Sequence, residues 1–192
     1  MNRKPRLLVV GSLVMDTISS TEIFPEPGQT VIGSSYSIAP GGKGANQAME
    51  AALLGADVTM VGKVGCDSFG DRLIESLKRA GVDVSHISRT DDGTSSGIGN
   101  VMITTKNGEA LSNRIIVIPG ANHKIKAEDV GFLEKEIDRY DIVLLQFEIP
   151  MEINCLIASY AAGKGVPVML NPAPIAPIPE ELMHNITYLS PN

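Results

Sequence analysis

Apolar positions along this chain fall into two alternating kinds of segment. Short, continuous apolar runs cover residues 6–10, 58–61, 142–147, 166–170 and 186–189. A strand covered on one face alternates apolar and polar residues, whereas one covered on both is apolar throughout. These runs are therefore expected in a parallel sheet with helices on both sides. Helical spacing fills the gaps. Residues 45–54 end at Gly55, a natural stop. Residues 67–80 put Phe69, Leu73, Ile74 and Leu77 on one face and end at Gly81. Ser68 and Asp71 open that helix at capping-box spacing. Val130, Leu133 and Ile137 mark a third helix, and Ile153, Leu156, Ile157 and Tyr160 a fourth. Strand–helix alternation of this kind predicts an α/β fold.

Two segments break the alternation. Residues 15–38 hold two extended runs around Pro25-Glu26-Pro27-Gly28, and residues 98–118 hold two more around Lys106-Asn107-Gly108-Glu109. Asn-Gly between extended runs signals a hairpin, because both residues tolerate positive φ. These four strands are expected outside the parallel sheet, as a small β lid added to one edge over a ligand crevice. Such a lid would exclude water from a transfer reaction. No repeat or low-complexity linker divides residues 1–192, so they read as part of one domain.

Composition narrows the function. Hydrophobic residues make up 43% and charged residues 20%, as in globular proteins. A net charge of -6 argues against nucleic acid, which needs a basic face. A small phosphorylated ligand stays possible through glycines and helix N-termini. Cys66 and Cys155 lie far apart with no metal-ligand spacing, which suits reduced thiols in the cytoplasm. His86, His123 and His184 are scattered, so no His-built metal site is expected. Arg3, Lys4 and Arg6 before the apolar run 7–15 mimic a signal peptide. Gly11 and Ser12 break that run, Asp16 ends it, and no small-residue cleavage site follows. No apolar stretch has membrane-spanning length, so no membrane partner is expected.

The sharpest motif is Gly41-Gly42-Lys43-Gly44-Ala45-Asn46-Gln47-Ala48, placed between an extended run and a helix. Its glycines allow close backbone approach to a ligand, and a helix start offers free N–H groups and a positive dipole end. Asn46 can donate and accept at once, which suits sugar hydroxyls. A tight loop into a helix would explain the glycines alone equally well. Neither Gly42-Lys43-Gly44 nor Gly163-Lys164-Gly165 has the Ser or Thr after Lys that a phosphate-binding P-loop requires. Two carboxylates join the motif. Asp16 ends the first strand region and Glu148 follows the run 142–147. Both therefore belong at strand C-terminal ends, where an open α/β sheet forms its crevice.

With these residues the chain resembles the ribokinase family of sugar kinases, which also includes fructokinases and adenosine kinase. The motif 41–48 matches the family's first signature, and Gly11-Ser12, Asp16, Gln146-Phe147-Glu148, Asn171-Pro172-Ala173-Pro174 and Pro191-Asn192 follow in the expected order. The resemblance implies a parallel Rossmann-like sheet with a β lid that mediates homodimerisation. It implies ATP-dependent phosphorylation of D-ribose at O5, with ATP and Mg²⁺ as cofactors and K⁺ as monovalent cation. It places Asp16, Gly42, Lys43, Gly44, Ala45, Asn46 and Glu148 around the sugar. Asn192 corresponds to the start of a motif near ATP phosphate and Mg²⁺.

Two departures from the family pattern shape the expectations. The second signature, with the catalytic Asp and its anion hole, has no counterpart in these 192 residues. The chain is therefore expected to be truncated before the nucleotide-binding half, to contain no catalytic residue and to be inactive alone. The family's usual Asn two residues before the sugar-binding Asp is Val14 here. That opens a deoxyribokinase or another pentose kinase as an alternative. A non-catalytic sugar-binding or dimerising fragment is the reading from a different class.

Overall fold

The computed structural model describes residues 3–106 and 109–191. Strands β1 (Arg6–Val10), β2 (Val14–Thr21), β3 (Ser35–Gly41), β4 (Asp57–Val64), β5 (Asp83–Arg89), β6 (Gly97–Lys106), β7 (Glu109–Ile118), β8 (Ile142–Gln146), β9 (Val168–Asn171) and β10 (Tyr188–Leu189) form two sheets. The larger has the order β10-β9-β8-β1-β4-β5, and every pairing in it is parallel. From β1 the chain builds outward through β4 to β5, then returns to the other side for β8, β9 and β10. The order reverses between β1 and β8, and a ligand crevice forms beyond the strand ends at such a point.

Helices cover both faces. Helices α1 (Lys43–Leu53) and α2 (Ser68–Arg79) lie on one side. Short helices α3 (Ala127–Val130) and α4 (Leu133–Glu136), the longer α5 (Met151–Gly163) and short α6 (Glu180–Met183) lie on the other. Alternate residues of β1 serve the two cores. Val9 packs with Leu13, Ala48, Leu73 and Leu77, while Leu8 and Val10 pack with Leu133, Ile153, Ile157 and Leu182. This explains why β1 reads as continuously apolar. Among the described residues no helix is long and apolar enough to cross a membrane.

Several boundaries differ from expectation for physical reasons. The α2 cap is Asp67, not Ser68: its carboxylate accepts from Gly70 N. Val130, Leu133 and Ile137 are all fully buried as expected, but they sit on two short helices and a 3-10 turn, interrupted at Gly131. Pro167 precedes β9 and donates no ladder hydrogen bond, so that strand starts later than its apolar run. β5 escaped the pattern because it is an edge strand with polar residues at exposed positions.

The other four strands form a sheet of their own, order β3-β2-β6-β7, rather than an extension of the first sheet's edge. β2 and β6 pair in parallel at its centre, and β3 and β7 flank them antiparallel. Lys106 and Glu109 pair across the expected hairpin, whose Asn107 and Gly108 lie outside the described residues.

A polar clamp fixes the start of β6 to α2. Asp67 accepts from Ser96 N at 2.8 Å and from Ser96 Oγ at 2.7 Å, and Ser96 Oγ accepts from Gly65 N at 2.9 Å. Burial alone would raise the Asp67 pKa. The hydrogen bonds from Ser96, Gly70 and Phe69 outweigh it and hold the carboxyl below its ordinary value. A depressed folded pKa stabilises the fold above the unfolded value and loses that contribution as pH falls through the folded one. Asp67→Asn should therefore cost about 1.5–3 kcal/mol at neutral pH, the range for a hydrogen bond to a charged group. Urea melts should show the gap to the unsubstituted chain narrowing below about pH 4, near the unfolded carboxyl pKa; a gap independent of pH would contradict the assignment.

Candidate functional site

A crevice of about 990 Å³ opens where the parallel sheet reverses and the second sheet leans over it. Val14, Asp16, Gly42, Lys43, Asn46 and Glu148 line it, so one space gathers six of the residues singled out from the sequence. Gly44 and Ala45 do not line it; both are buried in the fold beneath. Asn192 lies outside the described residues.

The buried glycine of the motif serves packing. A Cβ on Gly44 would stand 2.6 Å from Ser12 N and 2.7 Å from the Gly11 carbonyl carbon. Gly42 has φ 95°, a left-handed conformation, and a Cβ there would lie 2.8 Å from Val14 N. The close approach that these two glycines permit is thus to the chain's own segment 11–14.

The first-turn amides of α1 are not free, contrary to expectation. Lys43 N donates to Glu148 Oε2 at 2.8 Å, and Gly44 N donates to Ser12 Oγ at 3.3 Å. Ala45 N donates to Ser12 O at 2.9 Å, and Asn46 N to Gly42 O at 2.8 Å. Ser12 Oγ in turn donates to Glu148 Oε2 at 2.5 Å. The Glu148 carboxylate therefore answers the positive end of the helix dipole itself. Its second oxygen faces Lys43 Nζ at 4.0 Å. One oxygen of Glu148 holds the fold together and the other remains available to the crevice.

Asp16 is placed differently. Its carboxylate lies between Gly41 of β3 and Gly99 of β6, and a Cβ on either glycine would collide with it. Among the described residues no hydrogen bond or ion pair reaches this carboxylate. Burial, and then the negative charge of Glu148, push its pKa up. A half-buried carboxylate without a partner is costly unless something else supplies donors.

Other residues complete the lining: Phe147 and Pro172 belong to the family-like segments noted in the sequence, whereas Asn122, His123 and Ile178 carried no signal there. Val101, Ile115 and Val117 give the second sheet's wall an apolar face. Asn122 and His123 come from the 3-10 turn Gly120–Lys124, which reads as loop. Phe147, Pro172 and Ile178 close the far side. Among the described residues no cluster of three or more His, Cys, Asp or Glu side chains could hold a metal ion.

A model of the pfkB family carbohydrate kinases matches residues 4–192. The chain belongs to that family. It is 38% identical to a ribokinase of Bacillus subtilis over 186 residues, covering 97% of this chain and 61% of that protein. It is 33% identical to a deoxyribokinase of Salmonella typhimurium over 168 residues, covering 88% of this chain and 53% of that one. A solved Arabidopsis thaliana ribokinase complexed with ribose and ATP superposes with TM-score 0.84 at 34% identity, covering 98% of this chain and 60% of that one. A Thermotoga maritima ribokinase gives TM-score 0.83 at 31% identity, with 98% and 59% covered. The chain thus spans about three fifths of the length of the ribokinases it matches. For this family member the parallel sheet and the added mixed sheet are established.

The raised pKa of Asp16 has a consequence for stability. Between its unfolded and folded values the folded state holds a proton that the unfolded state has lost, so ionised Asp16 lowers stability at neutral pH. Asp16→Asn should melt at or above the temperature of the unsubstituted chain at pH 7, with the difference fading below about pH 4. A lower melting temperature at pH 7 would show that the carboxylate contributes a stabilising contact.

Proposed function

We propose that this chain forms the sugar-binding part of an ATP-dependent pentose kinase, with D-ribose as the acceptor phosphorylated at O5. The observation that carries this reading is the Asp16 carboxylate held between two glycines in the crevice, with no hydrogen-bond partner among the described residues. Sugar hydroxyls would supply the missing donors, each charge-assisted bond contributing about 1.5–3 kcal/mol. Asn46, the free oxygen of Glu148 and Lys43 stand around the same space. The sugar-binding set is then Asp16, Lys43, Asn46 and Glu148 along the backbone of Gly42, with Gly44 and Ala45 acting through packing. The second sheet serves as the lid: Val101, Ile115 and Val117 present apolar surface that excludes water from the acceptor.

The nucleotide is assigned through the Arabidopsis ribokinase, which was solved with ribose and ATP. Mg²⁺ would offset phosphate charge during transfer, but the described residues do not by themselves make a metal site. The crevice carboxylates are Asp16 and Glu148, the latter holding α1 through one oxygen and facing the crevice with the other. This chain's own part is therefore binding and orientation, in the cytoplasm, where Cys66 and Cys155 stay free thiols.

A second reading rests on Val14. It is 5% exposed and opposes Gly97 and Gly41 in the sheet beside Asp16. An apolar wall rejects a deoxy sugar less strongly than a hydrogen-bonding one. Calorimetry on the 192-residue chain should show ribose binding that Asp16→Asn removes. With ATP and Mg²⁺ added, no ribose 5-phosphate should form; turnover near 10 s⁻¹, ordinary for an enzyme, would overturn the division of labour. Val14→Asn should shift preference from 2-deoxyribose toward ribose by about 0.5–1.5 kcal/mol, one hydrogen bond. An unchanged ratio would remove the second reading.

The lid also suits a homodimer. On β7, Leu111, Ile116 and Ile118 are 62%, 60% and 43% exposed and do not line the crevice, leaving apolar surface unusual for a monomer. Light scattering should find a dimer, and Leu111→Glu should yield monomer; a monomeric unsubstituted chain would exclude this assembly.

A further inference from the structure

Asn122 is 1% exposed and sits in the 3-10 turn just after β7. Its Oδ1 accepts from Leu13 N at 2.8 Å, and its Nδ2 donates to Leu13 O at 2.8 Å. The same nitrogen donates to Pro119 O at 2.9 Å. The side-chain amide thus pairs with both polar groups of one peptide residue, as a neighbouring strand would. Leu13 is the residue before β2, so it sets the line from which Val14 and Asp16 enter the crevice. Gly97, the first residue of β6, opposes Val14, and a Cβ on it would collide with Asn122 Nδ2. The start of β2, the start of β6 and the end of β7 therefore meet at one amide.

Few side chains can fill this position. The pairing needs an acceptor and two donors on one short, planar group. An Asp would lack the donors and would set a negative charge against two carbonyls. An Ala would leave the buried Leu13 N–H and C=O without their side-chain partner. Asp16 depends on this geometry, because its carboxylate fits only in the gap left by Gly41 and Gly99, and the gap exists only in the register Val14↔Gly97 and Asp16↔Gly99.

We propose that Asn122 is a positioning residue for the sugar crevice: it fixes the Leu13 peptide, and with it the aim of Asp16, and ties that peptide to the returning strand of the lid. The inference rests on the sugar-binding reading. It assigns no contact between Asn122 and the sugar; the effect passes through Leu13.

The test compares ribose affinity with thermal stability in the 192-residue chain. Asn122→Ala and Asn122→Asp are set beside Leu182→Ala, a fully buried core position that does not line the crevice. All three should lower the melting temperature. Measured where each variant is folded, only the two Asn122 variants should weaken ribose binding, by tenfold or more. Folded Asn122 variants that bind ribose like the unsubstituted chain would overturn the inference and leave the sugar site standing. An unsubstituted chain that binds no ribose would end both. Should neither Asn122 variant fold, amide exchange in the unsubstituted chain decides: saturating ribose should slow exchange at Leu13 N–H, and an unchanged rate would overturn the proposal.

Discussion

The contact on which the rest depends is the docking of α1's first turn onto the segment between β1 and β2. Backbone meets backbone there, with Gly44 against Gly11 and Ser12. Any side chain at Gly44 would force the helix outward by the width of a methyl group or more. Ser12 is fully buried, and its hydroxyl both accepts from the helix and donates to Glu148. Because Glu148 follows β8, this one junction joins the ends of β1 and β8 to the end of β3, where α1 begins. The crevice is the space left above that junction.

The junction explains why two carboxylates in one crevice behave differently. Glu148 is bound by a hydroxyl, a backbone amide and a nearby ammonium. Among the described residues Asp16 has none of these, and it feels the Glu148 charge as an added penalty. Neither difference follows from residue type. Glu148 lies beyond the end of β8, whereas Asp16 lies within β2 and not at a strand end, with glycines as its neighbours. The fold lets one acid complete a helix terminus and holds the other half-buried between glycines, where burial disfavours its charge.

Much of this was legible in the sequence, for reasons that can be named. β1, β4 and β8 are covered on both faces, and continuous apolar runs report that directly. Gly11, Gly42 and Gly44 stand where backbones nearly touch, so the motif was visible, although its glycines meet the chain itself. Two kinds of feature stayed hidden. β5 is an edge strand whose residues are mostly half-buried or exposed, so its periodicity is weak. Asn122 acts through a contact to Leu13, 109 positions away, and no local pattern encodes such a bond. The independence of the second sheet was hidden for the same reason: its central pair, β2 and β6, joins distant segments in parallel.

That second sheet is held by means unlike those of the core. Among the described residues it shares no ladder with the six-stranded sheet. Polar clamps tie both ends of its β6–β7 hairpin, Asp67 with Ser96 at the start and Asn122 with Leu13 and Pro119 at the finish. The two apolar clusters, by contrast, consist mainly of residues of the parallel sheet and its helices, from Leu8 through Leu182. Placement of the wall over the crevice therefore depends on these directional bonds added to the packing of Met15 of β2 and Ile38 of β3 in one cluster, while global stability depends on apolar packing as a whole. Directional bonds fix an angle but contribute only about 0.5–1.5 kcal/mol each when neutral. Packing contributes far more and tolerates small shifts less well.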